Sequence, residues 1–155
     1  SSRVLFVCVH NSARSQLAGE YLRKMGGDRF LVESAGLEPG TLNPYVVDLL
    51  RKDEGIDISQ KPTNDVFEFF REGRTYDYVV TVCGKEAEAR CPVFPGLAAR
   101  RNWTIPDPSS FTGSYAEIEQ QVREIRDQIV ARLKDFLREY DERHPDATGA
   151  TSETV

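Results

Sequence analysis

Long hydrophobic runs are missing from this chain. No apolar stretch approaches the ~20 residues that cross a bilayer, and no basic-then-apolar leader is visible at the start. The expectation is a cytoplasmic monomer, or a protein whose leader was removed, with no membrane partner. An excess of positive charge is missing too: 20 Lys and Arg face 25 Asp and Glu, a formal net charge of −5, which argues against nucleic acid as a partner. Any anion must be held locally, by one loop, and not by the field of the whole surface. Histidine is scarce at 2 and cysteine at 3. Three is an odd number, unlike the disulfide framework of a secreted domain, and cysteines without nearby histidine make a poor zinc site. A second domain is missing as well, since 155 residues suit one domain with a real core.

What is present alternates strand and helix. This points to an α/β fold, a three-layer sandwich with a four-stranded, mostly parallel sheet flanked by helices. Residues 4–8 read as a buried strand, and the spacing of Leu17, Tyr21, Leu22 and Met25 is helical up to Gly26-Gly27. Residues 30–35 read as a second strand. Pro44, a favoured first-turn residue, opens a helix to Glu54, ahead of Gly55. A short helix over 64–72, a third strand over 78–82 and a short fourth over 102–105 follow. Ile118, Val122, Ile125, Ile129, Leu133, Phe136 and Tyr140 form a core-facing stripe on a last helix over 115–140. Residues 1–143 thus read as a single catalytic domain and 144–155 as a disordered tail.

The segment Arg3–Ser15 carries the most chemistry. A hydrophobic strand ends at Cys8, a loop of Val9, His10, Asn11, Ser12 and Ala13 follows, and Arg14 closes it at a helix N-terminus. Backbone N–H groups and the positive end of the helix dipole gather there, which suits an oxyanion, and the arginine fork can grip two oxygens at once. The same field favours the thiolate of Cys8, making it a nucleophile. Ser15 adds a hydroxyl, and Asn11 can fix the loop's shape and tolerate a left-handed backbone. His10 can add positive charge, although a loop histidine without a catalytic role is the plainer reading.

Two further features stand apart. Cys83 and Cys91 lie eight positions apart in V-C-G-K-E-A-E-A-R-C-P. In a rigid helix they would be ~12 Å apart, whereas a disulfide needs Cα atoms within ~7 Å. They can pair only if the segment unwinds. They read either as a redox pair or as two unrelated buried thiols. Asp107 sits between Pro106 and Pro108, which holds its carboxylate in place, as a general acid on a rim loop or as an ordinary turn residue.

Together, C-V-H-N-S-A-R-S at 8–15, E-S-A-G at 33–36, V-V-T-V-C-G at 79–84, C-P at 91–92 and D-P at 107–108 resemble the thioredoxin-coupled arsenate reductases, which share the fold of low-molecular-weight protein tyrosine phosphatases. The match extends to about Tyr140. The resemblance implies that arsenate, or phosphate or sulfate in its place, binds on residues 9–14. It implies that Cys8 attacks arsenic with Ser15 supporting the thiolate, and that Asp107 protonates the departing oxygen. A Cys8–Cys83 disulfide then releases arsenite, and a Cys83–Cys91 disulfide is reduced by thioredoxin. No tightly bound cofactor is expected. Some members hold potassium at positions matching Asn11, Ser34 and Asp65, but their glutamate ligand falls on Gly19 here, with Glu20 adjacent. The cysteine pair is one residue further apart than in the best-known members, and the loop begins V-H-N where theirs begins T-G-N.

The alternative from the same resemblance is a tyrosine phosphatase using Cys8, Arg14 and Asp107. Such phosphatases carry a tyrosine just after Asp-Pro, where this chain has Ser109-Ser110. Weak phosphatase activity is expected in either case. A non-catalytic oxyanion sensor would need neither the acid nor the cysteine pair, and a reductase coupled to a small thiol would not need Cys91.

Overall fold

The strand nearest the amino terminus is the spine of the molecule. In the computed structural model, which describes residues 1–145, the chain runs β1 (Ser2–Cys8), α1 (Arg14–Gly26), β2 (Phe30–Gly36), α2 (Pro44–Glu54), α3 (Val66–Arg71), β3 (Tyr78–Thr81), α4 (Lys85–Glu88), β4 (Ala99–Asn102) and α5 (Tyr115–Arg143). The strands form one four-stranded sheet in the order β2-β1-β3-β4, with every pairing parallel. A central parallel strand is covered on both faces, which is why β1 reads as an unbroken apolar run from Val4 to Cys8.

Side chains alternate across the sheet. Val4, Phe6 and Cys8 join the larger cluster, built with Leu17 and Leu22 of α1, Leu49 and Leu50 of α2, and Ile125, Ile129 and Leu133 of α5. Leu5 and Val7 point the other way, into a smaller cluster with Val66 and Phe69 of α3, Phe94 and Cys91. The helices are stopped and started by local chemistry. Asn43 caps α2, its side-chain oxygen accepting from Tyr45 and Val46 N–H, and Gly55 ends it at φ 69°. Ser114 and Glu117 form a reciprocal capping box at the start of α5.

Strands β1, β2 and β3 shift by one or two residues at an end from the sequence reading, and three elements differ more. The fourth strand lies at Ala99–Asn102 and not at 102–105. Its arginines are half-buried on the sheet edge and carry no apolar signal, while Trp103 and Ile105 belong to the core beyond the strand. The third helix is shorter than 64–72 because Asp65 is its cap, accepting the Phe67 N–H at 2.8 Å. The last helix continues three residues past Tyr140, to Arg143. His144 donates its N–H to the Tyr140 carbonyl and stacks its ring on Tyr140. The rest of the expected tail, 146–155, lies outside the described residues. Among the described residues no helix is long and apolar enough to cross a membrane.

Candidate active site

The parallel sheet places the ends of β1 and β3 on one rim, where open α/β sheets bind ligands. The loop from Cys8 to Arg14 turns there, and four of its carbonyls are used up on its outer side. Leu37 N–H donates to Cys8 O at 3.1 Å, Glu38 to Val9 O at 2.7 Å, Gly40 to His10 O at 3.0 Å and Asn43 to Ser12 O at 2.9 Å. In a trans peptide the carbonyl and the next N–H point oppositely. Carbonyls turned outward therefore aim the amides of Val9, His10, Asn11 and Ala13 into the loop. The Asn11 amide shows the result: it donates to Cys8 Sγ at 3.1 Å. Inward amides at a helix N-terminus have the geometry that can cradle an anion.

Asn11 is the keystone. It is fully buried and has φ 55°, the one non-glycine residue with positive φ among those described. Its carboxamide oxygen accepts the Asn64 N–H at 2.9 Å, its carboxamide nitrogen donates to Ser15 Oγ at 2.7 Å, and its carbonyl accepts from Gln16 Nε2 at 2.9 Å. Because Ser15 Oγ accepts from Asn11, its own hydrogen is free for Cys8 Sγ, 2.9 Å away. The sulfur thus sits between an amide and a hydroxyl that can both donate to a thiolate. Under the loop, Gly36 approaches so closely that an added Cβ would lie 2.7 Å from Asn11 N and 2.8 Å from Val9 O. Only glycine allows that approach.

Arg14 is buried, its Nη1 donates to Ile105 O at 3.0 Å, and its Nη2 lies 3.7 Å from Asp107 Oδ2. The arginine thereby ties the loop after β4 to the cradle. Asp107 caps a single 3₁₀ turn (Pro108–Ser110) by accepting the Ser109 N–H. Burial pushes its carboxyl up, but the Ser109 hydrogen bonds, Arg14 and His10 outweigh that and hold it below the usual value. His10 is exposed at the mouth, with Nδ1 2.8 Å from Glu38 O. A carbonyl only accepts, so Nδ1 carries a proton.

All three cysteines are free and buried. Burial pushes the Cys83 thiol up to about 11, against the opposing pull of Arg14, and Cys8 and Cys91 are its electrostatic neighbours. Burial also raises the Cys91 thiol. The segment between Cys83 and Cys91 is no rigid two-turn helix but the four-residue α4, which buries none of its residues. The sequence reading named Cys8, Arg14, Ser15, Asn11, Cys83, Cys91 and Asp107. It did not find Gln16, Glu38 or Asn64, and it quoted Gly36 only within a motif, without a role; their roles depend on partners 5 to 53 positions away. Gly36 alone had a signal, the small-residue run Ser34-Ala35-Gly36 at a strand end.

Of the positions that the resemblance implies for potassium, Asn11, Ser34 and Asp65 keep an oxygen-bearing side chain and Gly19 has none. Ser34 Oγ is buried without a hydrogen-bond partner among the described residues. Asn11 Oδ1 accepts the Asn64 N–H and Asp65 Oδ1 caps α3, each oxygen keeping a further lone pair, whereas Gly19 offers no side-chain ligand. Glu20 is held between Arg23 and Lys61, both at 2.8 Å. Among the described residues no acidic, histidine or cysteine cluster could hold a metal ion.

Comparison with known proteins agrees with this geometry. The family described as low molecular weight phosphotyrosine protein phosphatase matches residues 3–145. The arsenate reductase of Bacillus subtilis is 38% identical over 86% of this chain and 93% of its own length. That of Halalkalibacterium halodurans is 36% identical over the same shares. Among solved structures, an arsenate reductase in a phosphate-binding state aligns with TM-score 0.68 at 26% identity, covering 90% of this chain and 98% of that one. A thioredoxin-dependent arsenate reductase from Corynebacterium glutamicum aligns with TM-score 0.62 at 30% identity, covering 89% of this chain and 63% of that one.

Proposed function

Because the chain belongs to the low molecular weight phosphotyrosine protein phosphatase family, with arsenate reductases among its relatives, we propose that it reduces arsenate to arsenite through Cys8, Cys83 and Cys91, with thioredoxin as electron donor. The observation that carries this reading is the amide-lined cradle around Cys8 Sγ, with free Cys83 as the electrostatic neighbour of both Cys8 and free Cys91.

Arsenate, a tetrahedral oxyanion, lies on the loop amides with the Arg14 fork on its oxygens. Cys8 Sγ attacks arsenic as an arsenic–oxygen bond breaks, and the departing oxygen leaves as water. Asp107 handles that proton. Its carboxyl is low in the free protein chiefly through the Ser109 hydrogen bonds, with Arg14 and His10 adding to them, and a bound anion offsets the Arg14 share and raises it, so it takes a proton from the substrate and returns it to the leaving oxygen. Cys83 then attacks Cys8 Sγ. The sulfur–sulfur bond forms, the sulfur–arsenic bond breaks, and its electron pair stays on arsenic, which leaves as arsenite. Cys91 attacks Cys83 in turn, so the disulfide moves to Cys83–Cys91 and Cys8 returns as thiolate. A thioredoxin dithiol takes up the disulfide.

A phosphatase reading rests on Cys8, Arg14 and Asp107 alone. Ser109 and Ser110 stand where a tyrosine would flank an aromatic substrate, and both are exposed polar residues. The test is arsenite formation with thioredoxin, thioredoxin reductase and NADPH. Sustained turnover lost in Cys83→Ser and Cys91→Ser supports the relay. Turnover that survives Cys91→Ser, or phosphotyrosine hydrolysis without arsenite, overturns it.

A further inference from the structure

Arg100 has no part in the chemistry above, yet its side chain makes three hydrogen bonds to the segment that must rearrange. It lies on the edge strand β4, and its guanidinium spans the turn that carries Cys91. Nη2 donates to the Glu88 carbonyl at 3.3 Å and to the Glu88 carboxylate at 2.8 Å, and Nη1 donates to the Pro92 carbonyl at 3.1 Å. Glu88 O also accepts the Cys91 N–H at 3.1 Å. One planar fork therefore pins both sides of Cys91 to the sheet. A lysine could not do this, because a single ammonium cannot span two carbonyls in the fixed geometry of a guanidinium. The α4 helix buries none of its residues, so tethers of this kind, with the Phe94 and Cys91 packing, are what hold the segment in place.

The fork also lies beside the Cys91 sulfur. The groups that face that thiol are Arg100 from β4 and Glu88 from α4, with Cys83 at the end of β3 as the neighbouring thiol. Burial disfavours the thiolate, Glu88 opposes it, and among the described residues Arg100 is the positive charge that favours it.

We infer that Arg100 is a positioning residue for the third step of the proposed relay, stapling the Cys91 turn to β4 in the reduced protein and holding a positive charge against the Cys91 sulfur when it acts as nucleophile. This rests on the relay reading. In that step the Cys91 thiolate attacks Cys83 Sγ of the Cys8–Cys83 disulfide. The Cys83–Cys91 bond forms, the Cys8–Cys83 bond breaks, Cys8 leaves as thiolate, and the Cys91 proton goes to solvent. No net oxidant is consumed.

The test uses the full chain with Cys8→Ser and Cys83→Ser, so that Cys91 is the sole thiol. Alkylation by iodoacetamide is followed against pH with Arg100, Arg100→Gln and Arg100→Lys. Loss of the guanidinium is expected to move the alkylation midpoint up by about one pH unit and to raise the limiting rate at high pH, because the untethered turn exposes the sulfur. Arg100→Lys, which keeps the charge without the fork, is expected to restore the midpoint but not the slow limiting rate. A midpoint unmoved in Arg100→Gln overturns the inference whatever the limiting rate does. The alkylation profile does not depend on arsenite turnover, so failure of the relay, seen as wild-type turnover by Cys91→Ser, is a separate result.

Discussion

Gly36→Ala is the sharpest perturbation of the cradle that leaves every catalytic side chain in place. The new methyl would sit 2.7 Å from Asn11 N, 2.8 Å from His10 C and 2.8 Å from Val9 O, where ordinary contact begins at 3.4 Å. All three neighbours are backbone, so no flexible side chain can swing away. The cradle must yield by about 0.7 Å or β2 must leave its register with β1, and overpacking of this kind costs about 1–3 kcal/mol. For a chain of this size each kcal/mol lowers Tm by roughly 2–4 °C. The larger effect should fall on the anion. The displaced atoms include the amide that reaches Cys8 Sγ at 3.1 Å, and misplacing reacting groups by an ångström costs on the order of 100-fold in rate. Urea unfolding and calorimetric phosphate binding measure the two effects separately. The expected outcome is a modest loss of stability with at least a tenfold loss of phosphate affinity. Wild-type affinity and wild-type stability together would refute the claim that Gly36 shapes the cradle.

Further perturbations address other parts of the molecule. Asn11→Ala should cost about 2–4 kcal/mol in urea unfolding, because alanine must adopt φ 55° and the half-buried Asn64 N–H loses its acceptor. Arg14→Lys should leave Tm within a few degrees but weaken phosphate binding about tenfold or more, since the two-oxygen grip and the link to Ile105 O are both lost. In acid the fold should weaken progressively. Hydrogen bonds from Arg123 hold the Asp53 carboxyl below 3.8, and the Lys24 ammonium holds Glu54 below 4.5. A lowered folded-state value means the stabilisation is complete above those ordinary values and is lost as pH falls through the lower ones. A Tm that stays flat from pH 5 to pH 2.5 would contradict this. Cys8→Ser should abolish arsenite formation while still binding phosphate, because the serine oxygen can accept from the same Asn11 amide.

Much of this architecture is legible in the chain because it is built from short-range signals. The six-position step from Cys8 to Arg14 marks the cradle, Asn43-Pro44 and Gly55 mark both ends of α2, and the α5 stripe marks its buried face. The illegible parts are those where a residue's meaning lies in a distant partner. Asn64 looks like a helix residue until its N–H is found on Asn11 Oδ1. Arg100 and Arg101 look like a solvated loop, yet they pair with Val79 and Val80 as the last strand of the sheet. Edge strands carry little apolar pattern, so Trp103 and Ile105 drew the sequence reading three residues downstream. The outward carbonyls of the cradle are invisible in sequence because backbone amides of any residue type can serve them, as Leu37, Glu38, Gly40 and Asn43 do.

The alternation of β1 has a consequence for traffic. Cys8 belongs to the hydrophobic cluster under α1 and α5, whereas Cys91 belongs to the cluster under α3, across the sheet. Under the relay reading, oxidising equivalents enter on one side of the sheet and leave on the other, with Cys83 at the rim as the hand-over point. The oxyanion and the reducing protein then approach from separate directions. A crowded cradle need not block regeneration, and a docked reductant need not block the departure of arsenite. Under that reading the molecule has a front door and a service entrance, and the two-residue period of β1 decides on which side of the sheet Cys8 falls.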